Sequence, residues 1–280
     1  MALSQGSRSA VPVILFLLAG FAAPLLAVIW FSVMPPRSFS LAGTPTLENY
    51  TTIFEGTNYI SFVWSLGLAV VTVALLALVC YPVAYGLVRV FGRWATLLTL
   101  LFTIPLFVSE NIRLYGWVLF LIKNGVLLGS LKSLFGLQLE SMLFTVPAII
   151  LGMVYVYLPF MLFPMTLGIS MVPQETRDAA FDLGATRWQV FKEVDLPLSM
   201  PGIVIGFLLT FVLAIGAIAE AKVLGGQSVI PITHDIEIAF TYQQNWPLGA
   251  ALSVLLMLVV GTLVILALRR FDLDTFLGRR

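Results

Sequence analysis

Residues 178–197 read DAAFDLGATRWQVFKEVDLP and form a charged segment between two long apolar segments, 142–169 and 202–221. The chain as a whole is 60% hydrophobic and only 10% charged, whereas a soluble domain carries about 25% charged residues. A surface of this composition is not compatible with water as the main solvent. The charged segment is therefore an exception, and it must lie outside the lipid.

Six apolar segments predict membrane-spanning helices, each of which requires about 20 mainly apolar residues. The predicted spans are 11–34, 60–88, 95–122, 142–169, 202–221 and 248–268. The third is interrupted by Ser109, Glu110 and Arg113, so it is either one crossing or one crossing with a re-entrant piece. We predict an all-α integral membrane protein with about six transmembrane helices, in which residues 1–280 form a single domain.

The first apolar segment, 11–34, is expected to remain in the protein as a span. The apolar core of a secretory signal peptide has only about 7–15 residues. The segment is longer than that, and no clear small-residue cleavage site follows it.

The distribution of positive charge predicts the orientation. With the N-terminus in the cytoplasm, ten of the 15 Lys and Arg residues lie on the cytoplasmic side of the six spans. Short cytoplasmic loops are enriched in Lys and Arg. Both termini are therefore predicted to be cytoplasmic, and 170–200 becomes the one long cytoplasmic loop.

Several classes of function lack their sequence signals. The net charge of +1 gives no bias toward nucleic acid. The single Cys80 excludes an internal disulfide, and the lone His234 lies in a predicted loop. The sequence contains neither a GxxxxGK[ST] phosphate loop, nor an HExxH zinc pair, nor a nucleophile elbow. We predict a non-catalytic chain without a catalytic, cofactor-binding or metal site of its own.

The charged segment predicts a helix, a glycine turn and a second helix. Pro173 suits the first turn of a helix, and Gly184 ends it cheaply in a left-handed conformation. Thr186 and Gln189 have the spacing of a capping box that starts the second helix. Pro197 is expected to end that helix before the next span begins.

The composition of this loop favours a protein partner. Between residues 175 and 195 there are five acidic and three basic side chains, whereas a helix lying on lipid favours a basic polar face. Ala179 and Ala180 are small enough for close approach. Trp188 and Phe191 are expected to pack against the inner ends of the spans. An interfacial helix on the lipid remains the competing interpretation.

The same segment resembles the EAA motif of binding-protein-dependent ABC importer permeases. That motif has EAA, three residues, Gly, nine residues, Ile, one residue and Leu-Pro. Here the same spacing holds, with Asp in place of Glu and Val in place of Ile. In that family the first helix is the coupling helix, which inserts into a cleft on the ATPase subunit. The resemblance assigns this coupling role to Asp178, Ala179, Ala180, Leu183 and Gly184.

Further segments resemble the permease subunits of spermidine/putrescine importers, and the likeness covers most of the chain from Tyr50 onward. They are NIRLYGWVLFL, YVYLPFMLFPM, LPLSMPGIVIG, VLGG and NWPLGAA. The resemblance implies a type I ABC importer permease fold with one extra N-terminal helix, in the bacterial inner membrane among its lipids. It also implies a second permease subunit, an ABC ATPase dimer that binds ATP and Mg, and an extracytoplasmic solute-binding protein.

The expected function is the ATP-driven import of a small charged organic solute of the polyamine type. Candidate residues of the solute pathway are Glu110, Arg113, Glu220, Lys222 and Tyr242. The competing interpretation places the charged ones in water or lipid headgroups. Lys222 stands where polyamine-type permeases carry an acidic residue. Amino acids, opine-like conjugates or phosphonates therefore remain alternative solutes, and a stand-alone secondary transporter remains an alternative class.

Overall fold

The computed structural model describes residues 12–136, 140–226 and 228–270, and every regular element within them is a helix. These helices are α1 (Pro12–Ser32), α2 (Glu48–Glu55), α3 (Asn58–Arg89), α4 (Trp94–Thr103), α5 (Glu110–Leu121), α6 (Val126–Phe135), α7 (Val146–Ser170), α8 (Gln174–Asp182), α9 (Arg187–Ile215), α10 (Ala219–Val223), α11 (Ile232–Thr241) and α12 (Trp246–Arg270). Six stretches are long and apolar enough to cross a membrane: α1, α3, α5 together with α6, α7, α9 and α12. The prediction of an all-α chain with about six spans is confirmed.

The third predicted span, 95–122, is divided in the structure. Helix α4 continues as a 3-10 turn over Ile104–Phe107, and the backbone is then extended at Val108. Helix α5 begins at Glu110, so the polar residues that interrupt the segment lie at a helix start. The candidate crossing here is Glu110–Phe135. The boundaries differ because proline and polar residues favour a new helix start over a continuous helix.

The predicted helix end at Pro197 is wrong. Helix α9 runs from the charged loop into the membrane through a wide π-type turn over Phe191–Asp195. In this turn the Leu196 N–H donates to the Phe191 carbonyl five residues earlier. The wider turn moves the carbonyl groups that the proline ring would otherwise strike, so the helix tolerates the proline. The fifth span therefore begins before residue 202, and its helix ends at Ile215 and not at 221.

The described residues form two compact units. The first comprises residues 12–62 and 232–262. Its buried core consists of Ile53, Ile232, Ala239, Ala251 and Leu252. The second comprises residues 63–231 and the end of α12 from Leu263 onward. The single domain expected for residues 1–280 stays a prediction, because a division into compact units does not test it.

In the first unit, a buried asparagine closes the end of the first span. The Asn49 side-chain amide donates to the carbonyl oxygens of Ser32 at 3.1 Å and Met34 at 2.7 Å. The Tyr50 hydroxyl donates to the Ser32 hydroxyl at 2.8 Å. Carbonyl groups at a helix end have no partner within the helix. These contacts supply partners for them and join α2 to the end of α1.

In the second unit, α7 and α9 pack with their backbones in direct contact. A Cβ on Gly202 would lie 2.6 Å from the Gly168 Cα, and a Cβ on Gly168 would lie 2.8 Å from the Gly202 Cα. A Cβ on Gly206 would lie 3.0 Å from the Met161 carbonyl oxygen. Small residues permit such approach in lipid, where van der Waals packing drives helix association. The GxxxG spacing at 202–206 therefore serves helix packing.

We expect Gly202→Ala to destabilise the protein, because its methyl group must push α7 away from α9. Overpacking of this kind costs about 1–3 kcal/mol. Thermal unfolding of the detergent-purified protein measures the effect as a lower Tm. The matched control is Gly67→Ala on α3, where a Cβ meets no atom within 4 Å. Equal Tm values for the two variants would contradict the direct contact.

Candidate functional site

The loop after α7 adopts the predicted helix, glycine turn and second helix. Helix α8 begins after an extended Pro173 and has Glu175 in its first turn, where the helix dipole favours an acid. Gly184 has a φ of 85°. The following Ala185 N–H donates to the Ala180 carbonyl at 3.0 Å, which closes the helix end. The left-handed conformation explains the glycine at this position.

The capping box at the start of the second helix is also confirmed. The Gln189 N–H donates to the Thr186 hydroxyl at 3.3 Å, and the Thr186 N–H donates to the Gln189 side-chain oxygen at 2.8 Å. These two reciprocal bonds satisfy N–H groups that the helix itself cannot pair. The loop therefore has a defined conformation set by local sequence.

The residues assigned to coupling lie at the surface of this loop. Asp178, Ala179 and Gly184 are exposed, and Ala180 is half-buried. The side chain of Leu183 is 89% exposed. Because Leu183 is not buried in the core of this chain, its side chain is free to pack against another protein. The structure thus groups all five residues on one short exposed segment.

The two aromatic residues of the second helix behave differently from each other. The Phe191 ring packs against Tyr81 and Tyr85 of α3, with ring centroids 5.8 and 6.2 Å apart. Trp188 stacks on Phe191 at 5.1 Å but is 68% exposed. The expectation that both pack against the spans holds for Phe191 and is wrong for Trp188.

A buried ion pair behind α8 was not predicted. The Arg177 Nε lies 2.9 Å from the Asp195 Oδ1. The Tyr85 hydroxyl donates to the Asp195 Oδ2 at 3.1 Å, and the Arg177 Nη2 donates to the Tyr85 hydroxyl at 3.2 Å. One signal was present in the sequence, because an acid between Val194 and Leu196 requires a partner. The identity of that partner depends on the tertiary structure.

A second polar cluster lies where α10 packs against α5 and α7. Glu220 on α10 is fully buried, and its electrostatic partners are Tyr157, Glu110 and Arg113. Neither carboxylate oxygen of Glu220 has a hydrogen bond of good geometry within the described residues, although the Tyr157 hydroxyl is close enough to favour its charged form. The structure therefore brings together three of the five predicted pathway residues.

Burial raises the pKa of Glu220 to about 7. The nearby backbone N–H of Glu220 itself and the Tyr157 hydroxyl oppose this rise. Glu110 adds to it by charge repulsion, and the positive charge of Arg113 opposes it. A carboxyl group transferred out of water favours its neutral form. Glu220 thus changes its charge near neutral pH, unlike an ordinary glutamate.

Arg113 borders a cavity of about 340 Å³ whose other walls are Gly116, Trp117, Phe120 and Tyr155. Its guanidinium carbon lies 5.8 Å from the centre of the Tyr155 ring. The Nε and Nη1 atoms are buried and have no hydrogen-bond partner within the described residues. Buried donors of this kind require an acceptor. The cavity can therefore accommodate an acceptor group beside an aromatic wall.

The other two predicted pathway residues are exposed. Lys222 follows Glu220 on α10 but is exposed. Tyr242 lies just beyond α11 in the first unit and is 82% exposed. A larger cavity of about 690 Å³ in the second unit has almost entirely apolar walls, including Val70, Ile203 and Phe207. None of the residues that line this cavity carries a charge.

We expect Glu220→Gln to remove a pH-dependent loss of stability. The raised pKa means that the folded protein holds a proton that the unfolded chain releases. The associated stability is present in acid and is lost as the pH rises through about 7. The shift corresponds to roughly 3 kcal/mol. Thermal unfolding between pH 5 and pH 8 should show a falling Tm for the wild type and a weaker dependence for Glu220→Gln.

The matched control replaces an exposed acid by the same amide. Glu55 at the end of α2 is exposed, so Glu55→Gln should retain the wild-type pH dependence. If Glu220→Gln retained it as well, the titration would belong to another group.

Comparisons of the sequence point to one family. The family described as the binding-protein-dependent transport system inner membrane component matches residues 83–274. The spermidine/putrescine transport system permease protein of Haemophilus influenzae is 35% identical over 221 residues, which cover 78% of this chain and 77% of that protein. The corresponding permease protein of Escherichia coli is 33% identical, with 79% and 80% covered.

A comparison of structures agrees. The chain matches a chain of a bacterial ABC transporter involved in the import of the acidic polysaccharide alginate, with a TM-score of 0.70 and 18% sequence identity. The match covers 94% of this chain and 93% of that one. It shows the shared fold. The six apolar spans, the exposed loop between α7 and α9 and these relationships together place the chain in the family of inner membrane permease components of binding-protein-dependent ABC importers.

Proposed function

We propose that the exposed segment from α8 to the start of α9 docks on the ATPase subunit of the importer. The contact would be made by Asp178, Ala179, Ala180, Leu183 and Gly184. The observation that carries this proposal is the 89% exposure of Leu183 on a loop with defined conformation. An apolar side chain held in water gains free energy when a partner covers it. Trp188, 68% exposed on the same loop, extends the surface available for docking.

In this proposal ATP and Mg are bound by a dimer of the partner ATPase, and this chain changes the arrangement of its spans in response. When the ATPase subunits close on ATP, they displace the docked α8. The spans then change from an inward-open to an outward-open arrangement, and hydrolysis reverses the change. Binding and hydrolysis of ATP by the partner thus favour one or the other of two packings of the same helices.

The other proposed partners are a second permease subunit and an extracytoplasmic solute-binding protein. Helix α1 supports the first, because the apolar window of this span contains no residue buried by the chain itself. Its surface must face lipid or another subunit. The second is supported by a structure with the same fold and 17% identity, solved in complex with a periplasmic protein carrying an alginate pentasaccharide. We place both termini in the cytoplasm, on the distribution of Lys and Arg.

We propose that the solute is a small organic cation of the polyamine type. Support comes from relatives named as spermidine/putrescine permeases. It also comes from the two acids of the polar cluster, Glu110 and Glu220, and from the aromatic rings of Trp117 and Tyr155 nearby. Aromatic faces and carboxylates both attract alkylammonium groups.

A second candidate is a solute that carries a carboxylate or phosphonate, such as an amino acid or an opine-like conjugate. The observation that favours it is Arg113, whose buried Nε and Nη1 have no acceptor among the described residues. Arg binds carboxylate and phosphonate groups with two parallel hydrogen bonds. A zwitterionic solute would satisfy Arg113 and the acids of the cluster together.

Purification of the tagged chain from its native membrane in mild detergent, with mass spectrometry of the proteins that accompany it, tests the assembly. An ATPase and a second permease are expected. Any solute-binding protein that accompanies them is then assayed for binding of labelled spermidine, putrescine and amino acids. Solute transport by the chain alone, without ATP, would instead indicate a secondary transporter.

We expect Leu183→Asp to abolish co-purification of the ATPase while leaving the fold intact. The side chain is already in water, so its replacement removes no internal contact, whereas the new charge would be buried in the interface at high cost. The readouts are the yield of bound ATPase and the Tm of the permease chain.

The control is Leu41→Asp, which introduces the same change at another exposed position, outside the loop between α7 and α9. It should leave ATPase binding unchanged. Normal ATPase binding by Leu183→Asp would exclude this segment from the docking surface.

A further inference from the structure

Helix α8 is attached to the spans in an unusual way, because none of its residues is buried. A helix normally holds its place by packing an apolar face into a core. Leu183, just after α8, is exposed, and the ion pair and side-chain hydrogen bonds that join α8 to the spans come from Arg177 and Gln174. A force applied to α8 by a docked protein can therefore pass through these polar links as well as through the two ends of the loop.

The central polar link consists of Tyr85, Arg177 and Asp195, which we call the polar joint. Each comes from a different helix: Tyr85 from α3, Arg177 from α8 and Asp195 from the wide turn of α9. The three side chains contact one another in a closed triangle, with the ion pair at 2.9 Å as its shortest side. A displacement of Arg177 therefore acts on both α3 and α9.

The ion pair of the joint is shielded from water, whereas Tyr85 is half-buried. The Asp195 side chain has no exposure, and the Arg177 side chain is 13% exposed. Charges in such surroundings interact more strongly than in water, and separating them leaves an uncompensated charge. The ion pair therefore resists being pulled apart far more than an exposed pair would. The π-type turn that presents Asp195 fits this role, because such turns are frequent at functional sites.

A second set of bonds connects the joint to the end of α7. The Gln174 side-chain oxygen accepts from Arg177 at 3.0 Å and from Arg89 at 3.3 Å. Arg89 also donates to the carbonyl oxygens of Ile169 and Val172, at 3.2 and 2.7 Å. Those carbonyls lie at the end of α7 and just after it. Helix α8 is thus linked through side chains to α3, α7 and α9.

We propose that the polar joint transmits the displacement of α8 to α3 and α9, with Arg177 as the positioning residue. This inference rests on the proposed docking of an ATPase to α8, and it identifies how that docking reaches the membrane. The exposed face of α8 makes the contact with the ATPase, and its opposite face carries the connection. Loss of the joint would leave the ATPase bound but its motion disconnected from the spans.

The experiment uses the complex of this chain with its co-purified ATPase, and ATP with vanadate as the probe. A cysteine is introduced at Ser109, which is exposed between α4 and α5, and its rate of labelling by a membrane-impermeant maleimide is measured with and without ATP. The native Cys80 is buried. In the parent complex we expect ATP to change the labelling rate by about tenfold, a typical size for coupling between two sites.

We expect Asp195→Asn to remove this ATP-dependent change while the ATPase remains bound and still hydrolyses ATP. The matched control is Glu193→Gln, the same carboxylate-to-amide change at an exposed position two residues away. It should retain the parent response. Tyr85→Phe removes the two sides of the triangle made by its hydroxyl, leaves the ion pair, and should give an intermediate response.

The double variant Arg177→Gln with Asp195→Asn separates transmission from stability. It contains no unpaired buried charge, so a purely structural role predicts assembly and an ATP response like those of the parent. The polar joint predicts normal assembly without the ATP response.

Two results would overturn the inference in distinguishable ways. A parent chain that binds no ATPase, or that binds it without any response to ATP, would contradict the proposed function and the joint together. A responsive parent, with Asp195→Asn or the double variant responding like Glu193→Gln, would contradict the joint alone.

Discussion

The direct contact between the backbones of α7 and α9 is the constraint on which both candidate sites depend. Gly168 and Gly202 leave no room for a side chain between these helices. Lipid does not drive helices together as water does, so close approach has to come from small residues. The pair so formed presents Asp195 in the wide turn near the start of α9, while Tyr157 on α7 lies beside Glu220 on α10. The positions of both sites therefore depend on the packing of α7 against α9.

Two buried acids in this unit meet the cost of burial in opposite ways. Asp195 stays near a guanidinium and a hydroxyl, so its charge is compensated by partners from other helices. Among the described residues no hydrogen bond of good geometry reaches the Glu220 carboxylate, and burial raises its pKa to about 7. The first arrangement favours a fixed connection. The second favours a group whose charge responds to its surroundings, as is common at functional sites.

Features set by local chemistry were predictable from the sequence. The left-handed Gly184 and the capping box of Thr186 and Gln189 depend on residues within a few positions of each other. The failures came where local rules compete with longer-range ones. Pro197 is an ordinary helix stop by its ring geometry, yet a π-type turn carries the helix past it. The interruption near Glu110 did not reveal by itself which side of it crosses the membrane.

The sequence by itself determined the membrane class, the helical spans and the exposed loop, because these follow from composition, segment length and neighbouring residues. It also carried the family motif and the candidate residues at both sites. Only the tertiary structure decided which charges are partners. Arg177 meets Asp195, and Glu220 meets Tyr157, across helices that are far apart along the chain. Pairing of this kind depends on helix rotation and depth, which are set by packing against neighbouring helices and not by the order of residues within one helix.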